Sequence, residues 1–455
     1  MLIVVDDLGW ADLGCQGSAV YETPHIDALA AGGLRFTQAY AACAVCSPTR
    51  AALMTGRMPA RTGVTDWIRP QLQRGAAGTP DANPTEYVGG PNDPLLCPPN
   101  PFWMEHEEVT VAELLKNAGY RTGHVGKWHL GDEGWFPTSQ GYDENFGGCD
   151  YGQPPSYFDP YADKRHPEGI PTLPSKQPGQ YLTDREADEA VGFIERHADE
   201  PFFLSLWHYC VHTPLQAPPE ETARWKAKIA GMPDVMQKNA AYAAMVASVD
   251  RAAGRVIETL DRLGLRETTL VIFTSDNGGL LSSTNNSPLR SGKGYPYEGG
   301  IRVPLIVNWP GVVPANESAI PVISVDLPLT ILEACGVAPP EDRPLDGASL
   351  LELAKTGGRM QISARPLVWH FPHYRQQDVV PYSILRDGDL KLIKRYEGPT
   401  FELYDLSQDP SEKKDLAKNR PEDVDRLDAK LSQILAEAGA KLPRENPAYR
   451  PQRAR

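Results

Sequence analysis

Leu2-Ile3-Val4-Val5-Asp6-Asp7-Leu8-Gly9 opens the chain with four apolar residues that end abruptly in two carboxylates. A short unbroken apolar run is the pattern of a strand buried on both faces, whereas a half-exposed strand alternates. A second run of this kind, residues 269–274, ends in Ser275-Asp276-Asn277-Gly278-Gly279. Ligands of open parallel sheets gather beyond the carboxyl ends of the strands, so Asp6, Asp7, Asp276 and Asn277 are the first candidates for a site. Four oxygen-bearing side chains at two strand ends make a nest for Ca²⁺ or Mg²⁺ and, without His or Cys partners, suit zinc poorly. Taken singly, Asp-Asp also caps a helix and Asp-Asn-Gly also forms a turn.

Around these runs, strand patterns alternate with helical ones. Helices are expected over 24–31, 109–118, 183–197, 239–263 and 327–334, and strands over 34–40, 121–126, 201–207 and 303–307. Alternation of this kind predicts an α/β fold, a large mainly parallel or mixed central sheet flanked by helices on both faces. Residues 69–101 and 151–180, rich in Pro and Gly and without periodicity, read as long excursions near a site. From residue 364 four short strands (366–370, 382–386, 390–395 and 401–404) and a helix at 421–438 predict a small antiparallel sheet with one terminal helix. The expected division is a catalytic unit over 1–363 and a C-terminal α+β unit over 364–455.

The 455 residues carry a net charge of −14, which argues against a general nucleic-acid binder. No apolar run approaches the roughly 18 residues of a membrane span. Seven scattered cysteines do not suggest a disulfide framework, although one bridge stays open. A first strand starting at the initiator, with no signal-peptide pattern, leads us to expect that residues preceding Met1 are missing. Periplasmic or secreted placement is the expectation if they include an export signal.

Cys43-Ala44-Val45-Cys46-Ser47-Pro48-Thr49-Arg50 is followed by the helix-like Ala51-Ala52-Leu53-Met54-Thr55-Gly56. Ser47 reads as the N-cap, Pro48 as the first helical residue and Gly56 as the stop, which puts Cys46 at the positive end of a short helix. Arg50, one turn on, is placed to meet an anion held there. The CxxC spacing of Cys43 and Cys46 leaves a redox pair or half a zinc site as alternatives.

Cys46-Ser47-Pro48-Thr49-Arg50 matches CxPxR, and nearly the whole chain resembles the type I sulfatases of the alkaline phosphatase superfamily. The order of motifs carries the resemblance: Asp6-Asp7-Leu8-Gly9, CxPxR, Gly126-Lys127-Trp128-His129-Leu130-Gly131, Asp276-Asn277-Gly278-Gly279, then Lys293 with Glu298-Gly299-Gly300-Ile301-Arg302-Val303-Pro304. Glu402-Leu403-Tyr404-Asp405-Leu406 and Asp409-Pro410-Ser411-Glu412 are similar to the closing signature of these proteins. The resemblance implies a sulfuric ester hydrolase in which a formylglycine-generating enzyme converts Cys46 to formylglycine (3-oxoalanine).

It further implies calcium, with Mg²⁺ as second choice, on Asp6, Asp7, Asp276 and Asn277, joined by position 46. Lys127, His129, His212 and Lys293 match the sulfate-contacting and proton-transferring residues, and Arg50 the stabiliser of the hydrated aldehyde. In the implied mechanism one aldehyde-hydrate hydroxyl attacks sulfur while His212, with Lys293, protonates the departing oxygen. His129 then deprotonates the second hydroxyl and sulfate leaves. His212 is preferred to His208 because it precedes Thr213-Pro214.

The expected substrate is a sulfated carbohydrate, attacked at or near a chain end. Trp67, Trp103, Trp135, Tyr151 and Tyr157 lie in or beside the excursions, where aromatic faces can stack on sugar rings or form loop cores. His370, His373 and Tyr374 are placed to close the same pocket and read hydroxyls, and Arg290 to add local positive charge. The alternatives are a formylglycine-dependent phosphodiesterase or phosphonate monoester hydrolase, and a non-catalytic protein that binds sulfated glycans.

Overall fold

The computed structural model describes residues 1–68, 81–360, 365–375 and 378–450. Its strands in chain order are β1 (Leu2–Val5), β2 (Leu34–Tyr40), β3 (Leu95–Leu96), β4 (Arg121–Gly126), β5 (Glu144–Phe146), β6 (Phe202–His208), β7 (Val271–Ser275), β8 (Arg302–Asn308), β9 (Asn316–Ser318) and β10 (Val322–Ile323). These, without β3, form a nine-stranded sheet in the order β10-β2-β8-β7-β1-β6-β4-β5, with β9 also on β2. The sheet is mixed, because β8 runs antiparallel to both its neighbours, β2 and β7.

The opening strand lies in the middle of this sheet, parallel to β6 on one side and β7 on the other. Its four residues are fully buried, and they alternate between two cores. Ile3 and Val5 pack in the cluster that includes residues of the helices Leu182–Arg196 and Ala240–Arg262. Leu2 and Val4 pack with residues of Cys46–Thr55, Val111–Asn117 and Asp326–Ala334. Covering both faces is what allows a strand to be apolar throughout.

Parallel register also aligns strand ends. Val5 stands opposite His208 of β6 and Ser275 of β7, and Gly126 of β4 stands opposite Trp207. β2, paired antiparallel to β8, points the same way as β7 and leads into the helix that starts at Cys46. Five strands therefore deliver their following residues to one edge of the sheet.

Local signals set the element ends. The helix expected from residue 109 begins at Val111, because Thr110 and Glu113 form a reciprocal cap in which Glu113 N donates to Thr110 Oγ1 at 3.1 Å and Thr110 N to Glu113 Oε2 at 2.7 Å. The cap at the cysteine helix differs from expectation. Its N-cap is Val45 and Cys46 is already helical, because Ser47 Oγ donates to His129 O at 2.9 Å instead of capping. Gly56 ends this helix as expected, at φ 68°.

The C-terminal sheet is the antiparallel series β11 (Leu367–Phe371), β12 (Tyr382–Asp387), β13 (Leu390–Arg395) and β14 (Thr400–Asp405), against which the helix Pro421–Glu437 packs. The boundary expected between 363 and 364 falls outside the described residues, as do residues 69–80 of the first excursion. A further pair, β3 with β15 (Arg444–Glu445), fastens residues 95–96 to the end of the chain.

A buried charge network joins the two large sheets. Lys391 Nζ on β13 lies 3.0 Å from Glu298 Oε1 and 2.7 Å from Glu412 Oε1, and Tyr40 OH donates to Glu298 Oε2 at 2.7 Å. Two of the quoted motifs thus meet in this latch rather than at the strand-end site. Among the described residues no helix is long and apolar enough to cross a membrane. All seven cysteines are free, and Cys43 packs in an apolar cluster while Cys46 faces charged groups, which removes the CxxC alternatives.

Candidate active site

At the common strand edge, Asp6, Asp7, Asp276, Asn277, Cys46, Arg50 and Lys127 are all at most 3% exposed. Lys127 is brought in by Gly126, whose φ is 95° and where a Cβ would stand 2.1 Å from Trp207 O. Only glycine lets the strand turn there so that Lys127 N donates to Trp207 O at 2.7 Å. Lys127 Nζ then reaches Asp6 Oδ2 at 2.6 Å. Arg50 Nε donates to Asp276 Oδ2 at 2.9 Å, and its Nη1 to Lys127 O at 2.6 Å.

Lys293 Nζ bonds Asp7 Oδ1 and lies 3.3 Å from Cys46 Sγ. Asp7 and His129 both hold φ of 61°, a left-handed conformation disfavoured outside glycine and kept here by the surrounding bonds. Asp7 N donates to Asp276 Oδ1 at 3.2 Å, and His129 N to Cys149 O at 2.8 Å.

Both motif histidines face this centre. His129 Nε2 lies 2.9 Å from Ile68 O, which can only accept, so Nε2 is the donor. His212 Nδ1 lies 2.8 Å from Thr213 O, and its Nε2 stands 3.6 Å from Asp7 Oδ2. Tyr157 OH donates to Tyr209 O at 2.7 Å and to His212 O at 2.8 Å, fixing the His212 loop. His208 is elsewhere, buried against Glu186 Oε2 at 2.6 Å.

Burial pushes the Asp6 carboxyl up to about 8 against the pull of Lys127, with Asp276 and Asp7 adding to the rise. Burial pushes Asp7 up as well, but Lys293 and His212 more than reverse it and hold it below the usual carboxylate range. Burial and the neighbouring Lys293 lower His212 to about 3. The Cys46 thiol is raised by burial. Three buried carboxylates thus face three fixed cations.

These residues fit a divalent cation. Asp7 Oδ2 and Asn277 Oδ1 are buried and make no hydrogen bond, which is costly unless something positive stands there. Ligand atoms of Asp6, Asp7, Cys46 and His212 all lie within 4.8 Å of one another. With Asp276 and Asn277 beside them, four oxygen-bearing side chains outnumber the thiol and the imidazole, which suits a hard ion.

Cys46, His129, His212 and Lys293 line a cavity of about 170 Å³ together with Val45, Trp67, Gly152, Leu280 and Arg375. The other expected pocket residues are not brought to it. His370 Nδ1 lies 2.8 Å from Ser383 Oγ and its Nε2 3.1 Å from Lys441 O, so the ring stitches β11 to β12 and to the chain's last segment. His373 Nε2 is 2.8 Å from Thr65 Oγ1, and Tyr374 OH accepts from Leu95 N at 3.2 Å. Arg290 lies over the Tyr297 ring at 3.6 Å and donates to Tyr404 OH and Glu412 O, both at 2.9 Å.

Of the loop aromatics only Trp67 lines the cavity. Trp103 and Trp135 stack on each other at 3.8 Å, Tyr151 meets the His166 ring at 4.7 Å, and Tyr157 is wholly buried. Each therefore forms a loop core. Sequence reading missed Arg375, Gly152 and Leu280. None belongs to a spaced motif, and Arg375 reaches the cavity only because β11 lies where it does.

Comparison with known proteins agrees with this geometry. The Sulfatase family matches residues 1–337, and the family described as N-sulphoglucosamine sulphohydrolase, C-terminal, matches residues 292–441. The chain is 36% identical over 394 residues to N-acetylgalactosamine-6-sulfatase of Canis lupus familiaris, covering 81% of this chain and 68% of that one. It is 33% identical over 499 residues to a sulfatase of Formosa agariphila, covering 92% and 84%.

The solved structure of Ps i-CgsB with k-i-k-neocarrahexaose superposes with a TM-score of 0.76 at 29% identity, over 99% of this chain and 94% of that one. The phosphonate monoester hydrolase of Agrobacterium radiobacter, at 20% identity and TM-score 0.68, shares the fold alone. The chain belongs to the sulfatase family, whose members imply a formylglycine and a divalent metal, and it is a sulfuric ester hydrolase.

Proposed function

We propose that the protein removes sulfate from a sulfated carbohydrate, at or near a chain end, with formylglycine at position 46 and calcium at the strand-end carboxylates. The observation that carries this reading is the convergence of Cys46, Lys293 and two histidines on one small cavity beside unsatisfied buried oxygens. Asp6, Asp7, Asp276 and Asn277 would hold the ion, joined by the converted residue 46. Four oxygen-bearing side chains, with oxygen in place of sulfur at the converted position 46, favour calcium over zinc. A formylglycine-generating enzyme is the maturation partner this requires.

A divalent ion supplies charge stabilisation for sulfate oxygens, and the hydrated aldehyde supplies a nucleophilic hydroxyl with a second hydroxyl in reserve. The chain's own side chains do the rest. Asp6, Asp7 and Asp276 are balanced by Lys127, Lys293 and Arg50, so a bound divalent ion leaves the site positive and matched to an anion. Lys127 and Lys293 hold the ester oxygens as charge develops on them. His212, its Nδ1–H donated to Thr213 O, turns Nε2 toward the departing alcohol oxygen to position it, and the neighbouring Lys293 ammonium gives that oxygen its proton. His129, with Nε2 committed to Ile68 O, accepts a proton at Nδ1 when sulfate is expelled. Arg50 keeps Asp276 and the turn at Lys127 in place around the nucleophile.

A carbohydrate substrate is supported by relatives described as N-acetylgalactosamine-6-sulfatase and by the neighbour solved with k-i-k-neocarrahexaose. A small cavity at the catalytic side chains supports recognition of a single sulfated unit there. The test compares matured, metal-loaded enzyme on an aryl sulfate, an aryl phosphodiester, sulfated mono- and disaccharides and intact sulfated polymer. Preference for sulfate, and for short or terminal positions, is expected. Faster phosphodiester turnover would favour the phosphodiesterase alternative, and equal release of internal sulfates would overturn the end-acting pocket.

A further inference from the structure

We propose that Arg375, on its Trp67 platform, binds a second anionic group of the substrate, beside the sulfate that is cleaved. The proposal rests on the sulfated-carbohydrate reading and specifies the class of sugar: one bearing another sulfate or a carboxylate near the scissile ester.

Arg375 lines the same cavity as Cys46, His129, His212 and Lys293. Its polar contacts among the described residues nonetheless avoid the catalytic cluster. The guanidinium lies over the Trp67 ring, 5.5 Å from the centroid, and Nη1 stands 3.6 Å from Asp66 Oδ1 without a hydrogen bond. The scissile sulfate already has Lys127, Lys293 and the ion site. Asp66 balances the charge of Arg375 at 3.6 Å but accepts no hydrogen bond from Nη1, so a buried donor on the wall of a small cavity stays unused until a second anion enters.

The residue is also held in place for such a task. Arg375 N donates to Val379 O at 2.9 Å and Val379 N to Arg375 O at 3.1 Å. Thr65 and His373 tie its loop to the Trp67 loop, and Asn100 Oδ1 accepts from Thr65 N at 3.1 Å and Asp66 N at 2.9 Å while its Nδ2 donates to Trp67 O at 3.1 Å. The Thr65–His373 bond thus joins the two walls, while the three Asn100 bonds brace the Trp67 wall and the two Val379 bonds the Arg375 wall. A guanidinium carries its donors in a planar fork, and that fork matches the paired oxygens of sulfate or carboxylate better than a single hydroxyl.

The experiment measures kcat/KM of matured wild type, Arg375→Ala and Arg375→Lys on three sugars of one scaffold: monosulfated, carrying an added sulfate, and carrying an added carboxylate. An aryl sulfate is the reference without a second anion. Wild type is expected to prefer one of the dianionic sugars, the preferred one naming the anion. Arg375→Ala should lower the ratio of that activity to aryl sulfate turnover by about 10- to 100-fold, mainly through KM, with Arg375→Lys intermediate.

Rising salt should erode the wild-type preference, a readout that needs no variant to fold. No wild-type preference for either dianionic sugar, or equal losses on every substrate in Arg375→Ala, would overturn the proposal. Turnover of aryl sulfate without turnover of any sugar would instead sink the carbohydrate reading on which it rests.

Discussion

Arg50 and Asp276, 226 residues apart and both without solvent exposure, are joined through Nε at 2.9 Å and Nη2 at 2.8 Å. The pair links the helix that presents Cys46 to the strand end that presents two candidate metal ligands. Sequence reading placed Arg50 against an anion at the nucleophile, and in the structure the anion it meets is a carboxylate. Removing one partner of a buried pair leaves the other charge uncompensated. Arg50→Ala should therefore cost about 3–5 kcal/mol of stability. It should also lower kcat about 10²-fold or more by displacing its neighbours. Chemical denaturation and steady-state kinetics check both, and an active, equally stable variant would exclude the role.

Metal removal should act on activity and stability together. If Asp7 and Asn277 share an ion, exhaustive chelation should abolish turnover and lower the unfolding midpoint, and calcium should restore both. Saturation at 100 times Kd is worth about 2.7 kcal/mol when only the folded chain binds. Asp7→Asn and Asn277→Leu should each weaken the response. Full activity in a chelated sample shown by elemental analysis to be metal-free would contradict the assignment.

Position 46 has a covalent signature. Peptide mass spectrometry of active enzyme should show residue 46 without its sulfur and with an aldehyde oxygen instead. Cys46→Ser offers a hydroxyl but no second one for release, so sustained turnover should be lost while the fold remains. An intact thiol in fully active protein would rule out the proposed chemistry.

Stability should fall in acid through the buried histidines of the C-terminal sheet. Burial holds His370 at about 4, and burial with His370 nearby holds His373 at about 3. Unfolded histidine titrates near 6.5. Both folded values are depressed, so stability is complete above about 6.5 and declines as pH drops toward 4. The slope is at most about 1.4 kcal/mol per pH unit for each ring. Denaturation at a series of pH values should show the loss, and His370→Gln should flatten it. A slope unchanged by that substitution would assign the acid loss to other groups.

Much of this protein was legible in one dimension. Leu2–Val5 and the run into Asp276 could be read as central strands because burial on both faces imposes an unbroken apolar stretch, and the residues just past such strands collect at one edge by register. Motif order then supplied the family and most of the candidate site: Asp6, Asp7, Cys46, Arg50, Lys127, His129, His212, Asp276, Asn277 and Lys293 all reach that edge. What one dimension did not hold was the wall of the pocket. His370, His373 and Arg290 are side chains able to meet a sulfated sugar, yet they are satisfied by Ser383, Thr65 and Tyr404. Arg375 carries no motif and reaches the cavity only through the docking of the small sheet. Strand patterns and strand-end ligands follow from short-range periodicity and register, whereas a pocket wall depends on which distant partner satisfies each hydrogen bond, and packing in three dimensions alone makes that choice.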